Sequence, residues 1–211
     1  MNPYKHADKA LKTLKKRISG EFQNLSTTLP FDELNILDTR KSVNDLYERV
    51  NTQCVKQYQK VAEDNYKEAV EECDGEYAGL DETFLAAILS GYNPITEYVY
   101  KREWTRKADR TFEGLLAAIG LLGKRNSLLR SHDLVQRQVR QYVDIATDEA
   151  RMQGFRDNGI TRVQWVSIAD ERRCKVCRER DGQIYEIGNV PVKHRNCRCY
   201  LIPVLNDRNR E

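Results

Sequence analysis

Five residues near the C-terminal end of the sequence have the types and the spacing of metal ligands. Cys174 and Cys177 are separated by two residues, sixteen residues follow, and then come His194, Cys197 and Cys199. Two facing pairs of this kind can supply three sulfurs and one nitrogen in the tetrahedral arrangement that Zn²⁺ adopts in structural sites. The spacing therefore predicts one zinc ion, bound by Cys174, Cys177, Cys197 and one further ligand.

The spacing leaves that further ligand open. Cys197 and Cys199 lie on the same side of a predicted strand, so Cys199 can take the place of His194. A disulfide within the cluster is the alternative to a metal, and it would form if the finished assembly leaves the reducing cytoplasm. A site with four protein ligands leaves no position for a reacting water, so we expect a structural and not a catalytic metal.

Basic side chains surround the predicted ligands. On a rigid zinc frame several of them could face nucleic acid and bind it weakly, without sequence preference and with a dependence on salt. The alternative is that nearby carboxylates pair with them, namely those of Asp170, Glu171, Glu179 and Asp181. The candidate nucleic-acid contacts are Arg172, Arg173, Lys175, Arg178, Lys193, Arg195 and Arg198.

No arrangement of catalytic residues is evident in the sequence. The stretch from Gly120 to Lys124 lacks the first glycine and the Ser/Thr of a phosphate-binding loop. Ser131, His132 and Asp133 have the residue types of a catalytic triad, but consecutive residues on a helix cannot face one another. We therefore expect no catalytic residues and no enzyme activity.

A candidate surface for a protein partner lies between Tyr92 and Phe112. Aromatic and arginine side chains alternate there on two helical stripes, and these residue types are enriched where protein interfaces bind most tightly. The alternative is that both stripes are buried within the helical part of the chain. The candidate contact residues are Tyr98, Tyr100, Trp104 and Arg106.

Hydrophobic periodicity predicts a mainly α protein with an elongated helical N-terminal part and a small zinc-stapled α+β module. Residues 1–158 form the predicted helical region, in which residues 1–38 are a terminal arm and a loop. Residues 159–211 form the cysteine-rich module, with a short antiparallel sheet. The predicted helices cover 1–20, 39–73, 83–90, 93–119 and 131–157, with a break over 120–126. The predicted strands cover 162–167, 183–187 and 199–204.

The amino-acid composition is typical of a soluble protein without membrane-spanning segments. The chain has 211 residues with 40% hydrophobic and 32% charged side chains, which is ordinary for a soluble protein. Residues 1–100 carry 12 basic and 17 acidic side chains, whereas residues 151–211 carry 13 and 8, so the C-terminal end suits an anionic partner. We expect no signal peptide and no membrane partner, because no long apolar stretch is present.

The C-terminal motifs resemble those of the phage Mu F-type minor head proteins, also called the phage head morphogenesis family. The likeness covers roughly residues 80–204 and is most specific around the cysteines. Around the cysteines it rests on Trp165-Val-Ser-Ile-Ala-Asp170-Glu-Arg-Arg-Cys174-Lys-Val-Cys177, Asp181-Gly182-Gln-Ile-Tyr185, and Pro191-Val-Lys-His194-Arg-Asn-Cys197-Arg-Cys199-Tyr-Leu-Ile-Pro203. In the helical half it rests on Glu97-Tyr-Val-Tyr-Lys-Arg-Glu-Trp104-Thr-Arg-Lys107-Ala-Asp-Arg110 and on Gln138, Tyr142 and Asp148.

This resemblance implies a minor structural component of a tailed-phage or prophage head, located inside the head near the portal. It implies that the portal protein, the major capsid protein or both are partners, that packaged DNA is a weak contact, and that assembly takes place in the host cytoplasm. Two alternatives stay open at this point. One is a zinc-ribbon protein that binds nucleic acid, and the other is an enzyme or toxin module carried by a phage particle.

Overall fold

A computed structural model describes residues 4–171, 173–194 and 197–205. The protein is mainly helical, with long N-terminal helices and a small antiparallel sheet near the C-terminus, so the predicted fold class is confirmed. The elements in chain order are α1 (Lys5–Thr28), α2 (Ile36–Glu72), α3 (Phe84–Ser90), β1 (Tyr92–Asn93), β2 (Tyr98–Val99), α4 (Tyr100–Ala117), α5 (Gly120–Asp157), β3 (Arg162–Val166), α6 (Lys175–Arg180), β4 (Ile184–Glu186), a 3₁₀ turn (Ile187–Asn189) and β5 (Tyr200–Pro203).

Helices α1, α2, α4 and α5 pack side by side into a bundle. At 1.5 Å per residue, the 38 residues of α5 span about 57 Å, so the helical part is long relative to its width. The apolar stripe predicted for α2 is the side of that helix that enters the core. Its members are buried at steps of three and four residues: Val43, Leu46, Tyr47, Val50, Cys54, Tyr58, Val61 and Tyr66.

The predicted terminal arm and loop over residues 1–38 are largely one helix that belongs to the bundle. Helix α1 continues past Gly20 because Phe22 and Leu25 extend the buried stripe of Leu14 and Ile18. The next helix begins earlier than predicted, after Asn35. The Asn35 Oδ1 atom accepts hydrogen bonds from the backbone N–H groups of residues 37 and 38, at 2.8 and 3.1 Å, and thereby caps the helix.

Two further expectations in the middle of the chain are wrong. Asn93 does not start a helix, because its side chain accepts a hydrogen bond from the Ile95 N–H within the turn of the β1–β2 ribbon. Nor is there a break over 120–126, because α5 begins at Gly120, which has a positive φ of 66°. Ser131 consequently lies inside α5, where its hydroxyl donates to the carbonyl of Ser127.

The three-stranded sheet has the order β4–β3–β5 with antiparallel neighbours throughout. Trp165 of β3 is opposite Leu201 of β5, and both side chains are buried. They pack in a second core with Met152 and Phe155, which come from the end of α5. This second core therefore crosses the predicted boundary at residue 158, so the module is not held together by its own residues alone.

The opposite end of the bundle is apolar and exposed. Arg40 near the start of α2 lies over the ring of Phe112 near the end of α4, at 3.9 Å from the ring centroid, so these two helix ends are neighbours. We refer to five exposed side chains at this end as the apolar tip: Ile36, Leu37, Leu116, Ile119 and Leu122.

Within the described residues, no helix combines the length and apolar character needed to cross a lipid bilayer.

Candidate metal centre

The first pair of predicted ligands is positioned by a short helix. Cys174 precedes α6, and its Sγ atom accepts a hydrogen bond from the backbone N–H of Cys177 at 3.3 Å. This contact turns the first helical turn toward the sulfur and brings both cysteine side chains to one side. The local arrangement is the one that a Cys-x2-Cys pair needs in order to bind a metal.

The second group of ligands reaches the first from the segment that follows β4. The His194 Nε2 atom lies 3.2 Å from Sγ of Cys174 and 3.0 Å from Sγ of Cys177. The Sγ atoms of Cys177 and Cys197 are 3.6 Å apart. Zinc binds sulfur at about 2.3 Å and nitrogen at about 2.0 Å, which places tetrahedral ligands about 3.5–3.8 Å from one another. Each of these three distances is close to the separation between two ligands of one zinc ion.

All five predicted ligands belong to two overlapping groups that share Cys177. One group is Cys174, Cys177 and His194, and the other is Cys177, Cys197 and Cys199; within each, the ligand atoms lie within 4.8 Å of one another. This cluster can hold a metal ion. Cys174 is half-buried and His194 exposed, whereas Cys197 and Cys199 are buried, so the cluster extends from the surface into the second core.

The surroundings of the thiols differ in their effect on ionisation. The N–H of Cys177 that donates to Cys174 lowers the pKa of the Cys174 thiol to about 7. Burial raises the pKa values of the Cys177 and Cys197 thiols above their ordinary range. A bound metal requires thiolates, so binding must displace protons from the buried pair.

The loop that carries His194 is anchored to the helices. The Lys193 ammonium donates to Oδ1 of Asp148 on α5 at 2.7 Å and to the Tyr4 hydroxyl at 2.8 Å. The Tyr4 hydroxyl in turn donates to the carbonyl oxygen of Cys199 at 2.6 Å. These bonds fix the ligand segment relative to both ends of the helical chain.

The predicted patch of basic side chains is largely neutralised by carboxylates. Arg173 pairs with Asp181 at 2.8 Å, and Arg198 pairs with Asp170 at 2.5 Å. Lys175 lies 3.8 Å from Glu179, and Lys193 is bound to Asp148 as described above. The structure therefore favours the alternative of paired charges for these four residues. Arg178 is exposed, while Arg172 and Arg195 lie outside the described residues.

The predicted partner residues do not form one exposed surface, which is a correction to the sequence-based interpretation. Tyr100 and Trp104 are buried in the bundle, with their rings edge to face at 5.8 Å. Tyr98 is half-buried, and the guanidinium of Arg106 lies over its ring at 4.3 Å. The physical reason is that aromatic residues of α2 and α5, which are distant in sequence, complete the contacts of these rings.

Sequence reasoning missed two features of the helical part. One is the apolar tip, for which the run of Leu116, Ile119 and Leu122 on either side of a helix junction was an available signal. The other is a face of α4 with Glu103, Arg106, Lys107 and Arg110 at spacings of three, four and seven residues. Such spacing places these side chains on one side of a helix, which is detectable without coordinates.

Comparison of the chain with protein-family models, curated proteins and solved structures finds no match.

Proposed function

We propose that this chain is a minor head protein of a tailed phage or prophage, acting in head morphogenesis through its surfaces and not by catalysis. The observation that supports the proposal is the pair of ligand groups that share Cys177, namely Cys174, Cys177 and His194, and Cys177, Cys197 and Cys199. These residues belong to the motifs on which the family resemblance depends, and Sγ of Cys177 lies 3.0 Å from Nε2 of His194 and 3.6 Å from Sγ of Cys197. Residues far apart in sequence are brought together as a shared metal-binding module requires.

The proposed metal is Zn²⁺, because sulfur and imidazole nitrogen are the ligands that zinc takes in structural sites. Its role would be to hold the ligand segment, α6 and the sheet together. With four protein ligands no coordination position would remain for a reacting water, which would suit this structural role. The module also gains stability from its contacts with α2 and α5, so the metal would add to an existing core and not replace one.

The proposed partner is the portal protein, the major capsid protein or both, and the apolar tip is the part of the surface best suited to it. The tip lies at the end of the bundle opposite the metal cluster, and Ile119 and Leu122 are 94% and 73% exposed. Several large apolar side chains exposed at one end of a bundle are typical of binding sites for other proteins. The protein would then be located inside the head near the portal, after assembly in the host cytoplasm.

Packaged DNA is proposed only as a weak contact. Four of the candidate basic residues are paired with carboxylates, which leaves few charges for phosphate groups. For the same reason a zinc-ribbon regulator of nucleic acid is less favoured than an assembly protein. Binding with one or two phosphate contacts should lose affinity by about 0.9 log units per contact for each decade of salt.

The direct test is mass spectrometry of purified heads, combined with co-purification of the chain with the portal protein of the same phage or prophage. We expect the chain in assembled particles and in complex with the portal or capsid protein. Absence from purified heads, together with sequence-specific duplex binding that survives high salt, would favour the regulator. Turnover of a substrate by the isolated chain would favour the enzyme alternative.

A further inference from the structure

A polar pocket of about 240 Å³ lies between α4 and α5, away from the metal cluster. Its walls come from one face of each helix, with Thr96 from the turn between β1 and β2 and Tyr47 from α2. Neither the family resemblance nor the proposed function makes use of this pocket.

The rim of the pocket is strongly basic. Helix α4 contributes Arg106, Lys107 and Arg110, and α5 contributes Arg137. Among the described lining residues Glu103 is the one carboxylate, so the three arginines alone leave an excess of positive charge. Within the described part of the chain, Arg106, Arg110 and Arg137 form no ion pair. This differs from the metal module, whose basic side chains are mostly paired.

The floor of the pocket contains buried polar atoms without hydrogen-bond partners. Gln138 is only 4% exposed, and neither its Oε1 nor its Nε2 atom has a partner among the described residues. Glu103 is 2% exposed; its Oε1 accepts from the hydroxyls of Thr96 and Tyr142, while its Oε2 has no partner. Buried polar groups are normally satisfied, and leaving them unpaired lowers stability. A ligand that fills the pocket could pair with them.

One rim cation is already oriented for binding. The Arg106 guanidinium rests on the Tyr98 ring at 4.3 Å from the centroid, and its Nε atom is buried without a hydrogen-bond partner. Stacking limits the rotation of the side chain, and Arg106 also lines the pocket. An arginine held in this way matches the geometry of phosphate oxygens.

We propose that this pocket binds a small phosphate monoester that carries hydroxyl groups, such as a sugar phosphate. The phosphate would lie among Arg106, Arg110 and Arg137 at the rim, where its two negative charges offset the excess of cations. A hydroxyl of the ligand would donate to Glu103 Oε2, and another would bond to the carboxamide of Gln138. The volume is below the range of about 300–1,000 Å³ for drug-sized ligands, which favours a molecule of this small size.

Calorimetric titration of the full-length, metal-loaded protein with deoxyribose 5-phosphate tests the proposal. We expect a dissociation constant of about 1 mM or lower, which is reasonable for a ligand with so few atoms. Inorganic phosphate should bind about tenfold more weakly, because it cannot reach the floor, and deoxyribose without phosphate should not bind measurably. Equal affinity for inorganic phosphate and for the sugar phosphate would contradict the proposed contacts of ligand hydroxyl groups with Glu103 and Gln138.

Two substitutions test separately how the floor and the rim of the pocket contribute to binding. Gln138→Leu removes the carboxamide, and Arg137→Gln removes an exposed rim charge without affecting the core; each should weaken binding about tenfold. Arg130→Gln is the matched control, since Arg130 is also exposed on α5 but does not line the pocket. The proposal is wrong if the wild-type protein shows no binding at about 10 mM ligand, or if Arg130→Gln weakens binding as much as Arg137→Gln.

A nucleic-acid strand could present the same chemistry through a terminal phosphate. Oligonucleotides with and without a 5′-phosphate therefore form a further arm of the titration. Competition of the phosphorylated strand alone with deoxyribose 5-phosphate would place a strand terminus in the same pocket and support phosphate-monoester recognition. Equal competition by both strands would indicate backbone binding and contradict the proposal.

Discussion

The Nζ atom of Lys193 lies 2.7 Å from Oδ1 of Asp148, and this ion pair connects the ligand segment to α5 across 45 residues of sequence. Both side chains are mostly buried, with 14% and 22% of their surfaces exposed. Tyr4 bonds to the same lysine and to the Cys199 carbonyl, so the N-terminal residues of the described chain also hold the module.

The first prediction concerns this ion pair. Lys193→Met should lower the free energy of unfolding by about 1–3 kcal/mol, because it leaves the mostly buried Asp148 carboxylate without its cation. Chemical denaturation followed by circular dichroism measures the change. Lys175→Met is the control, since the Lys175 side chain is 88% exposed and its contact with Glu179 is 3.8 Å long; it should cost less than about 0.5 kcal/mol. Equal effects of the two substitutions would contradict the prediction.

The second prediction concerns the metal. Protein purified under reducing conditions without chelator should contain about one zinc per chain, and Cys177→Ser should abolish binding, because Cys177 is shared by both ligand groups. Elemental analysis measures the content. Cys54→Ala is the matched control, since Cys54 is buried in the bundle and not near the cluster. Less than about a tenth of an equivalent of metal, together with native disulfides among the same cysteines, would favour the disulfide alternative.

Fluorescence of the two tryptophans can report separately how metal removal affects the bundle and the C-terminal module. Trp165 lies in the second core and Trp104 in the bundle. In a Trp104→Phe background, chelation should shift the emission of Trp165 to longer wavelength, because the module loosens and water reaches the ring. In a Trp165→Phe background, the emission of Trp104 should change little. A change of the same size in both backgrounds would mean that the metal stabilises the whole chain.

The third prediction concerns pH. Burial, followed by repulsion from Asp148, raises the pKa of the Asp144 carboxyl to about 7, whereas nearby Arg140 and Lys193 lower it by smaller amounts. The folded state therefore binds more protons than the unfolded state between about pH 4 and pH 7, and the free energy of unfolding should fall as the pH rises through this window. Asp144→Asn should flatten this dependence and stabilise the protein by about 1–3 kcal/mol above pH 7.

Urea denaturation of wild type and Asp144→Asn at a series of pH values, with metal held constant, measures the difference. Asp133→Asn serves as the control, because Asp133 is an exposed carboxylate on the same helix. A wild-type protein whose stability rises from pH 5 to pH 7 relative to Asp144→Asn would show that the sign is wrong.

The fourth prediction distinguishes the buried aromatic residues from the exposed tip. Trp104→Ala should lower the free energy of unfolding by about 3–5 kcal/mol, because it opens a cavity beside Tyr47 and Tyr100. Ile119→Asp should leave stability within about 0.5 kcal/mol of wild type, since the side chain is exposed, but should reduce co-purification with the portal or capsid protein. If a folded Ile119→Asp variant binds the portal or capsid protein normally, the apolar tip is not the interface.

The sequence by itself determined the features that depend on neighbours a few residues away. The stripe of α2 was predictable because residues three and four apart share a helix face, and a long helix needs one apolar side to be buried. The ligand set was predictable because metal chemistry restricts residue types and the pairs Cys174/Cys177 and His194/Cys197 are local. The three strands of the module could be located from their alternation and from the Asp181-Gly182 turn.

Tertiary structure decided the features that depend on residues distant in sequence. Tyr100 and Trp104 are buried because Tyr47, Tyr58 and Tyr142 surround them, and no local pattern shows which stripe of α4 those rings will meet. Lys193 forms an ion pair with Asp148 and is therefore no longer a candidate contact for nucleic acid. The two residues are far apart in the sequence, so residue spacing does not predict this pair. Local periodicity specifies which side chains share a face, but packing alone determines what that face contacts, because the free energy of burial and ion pairing depends on the partner.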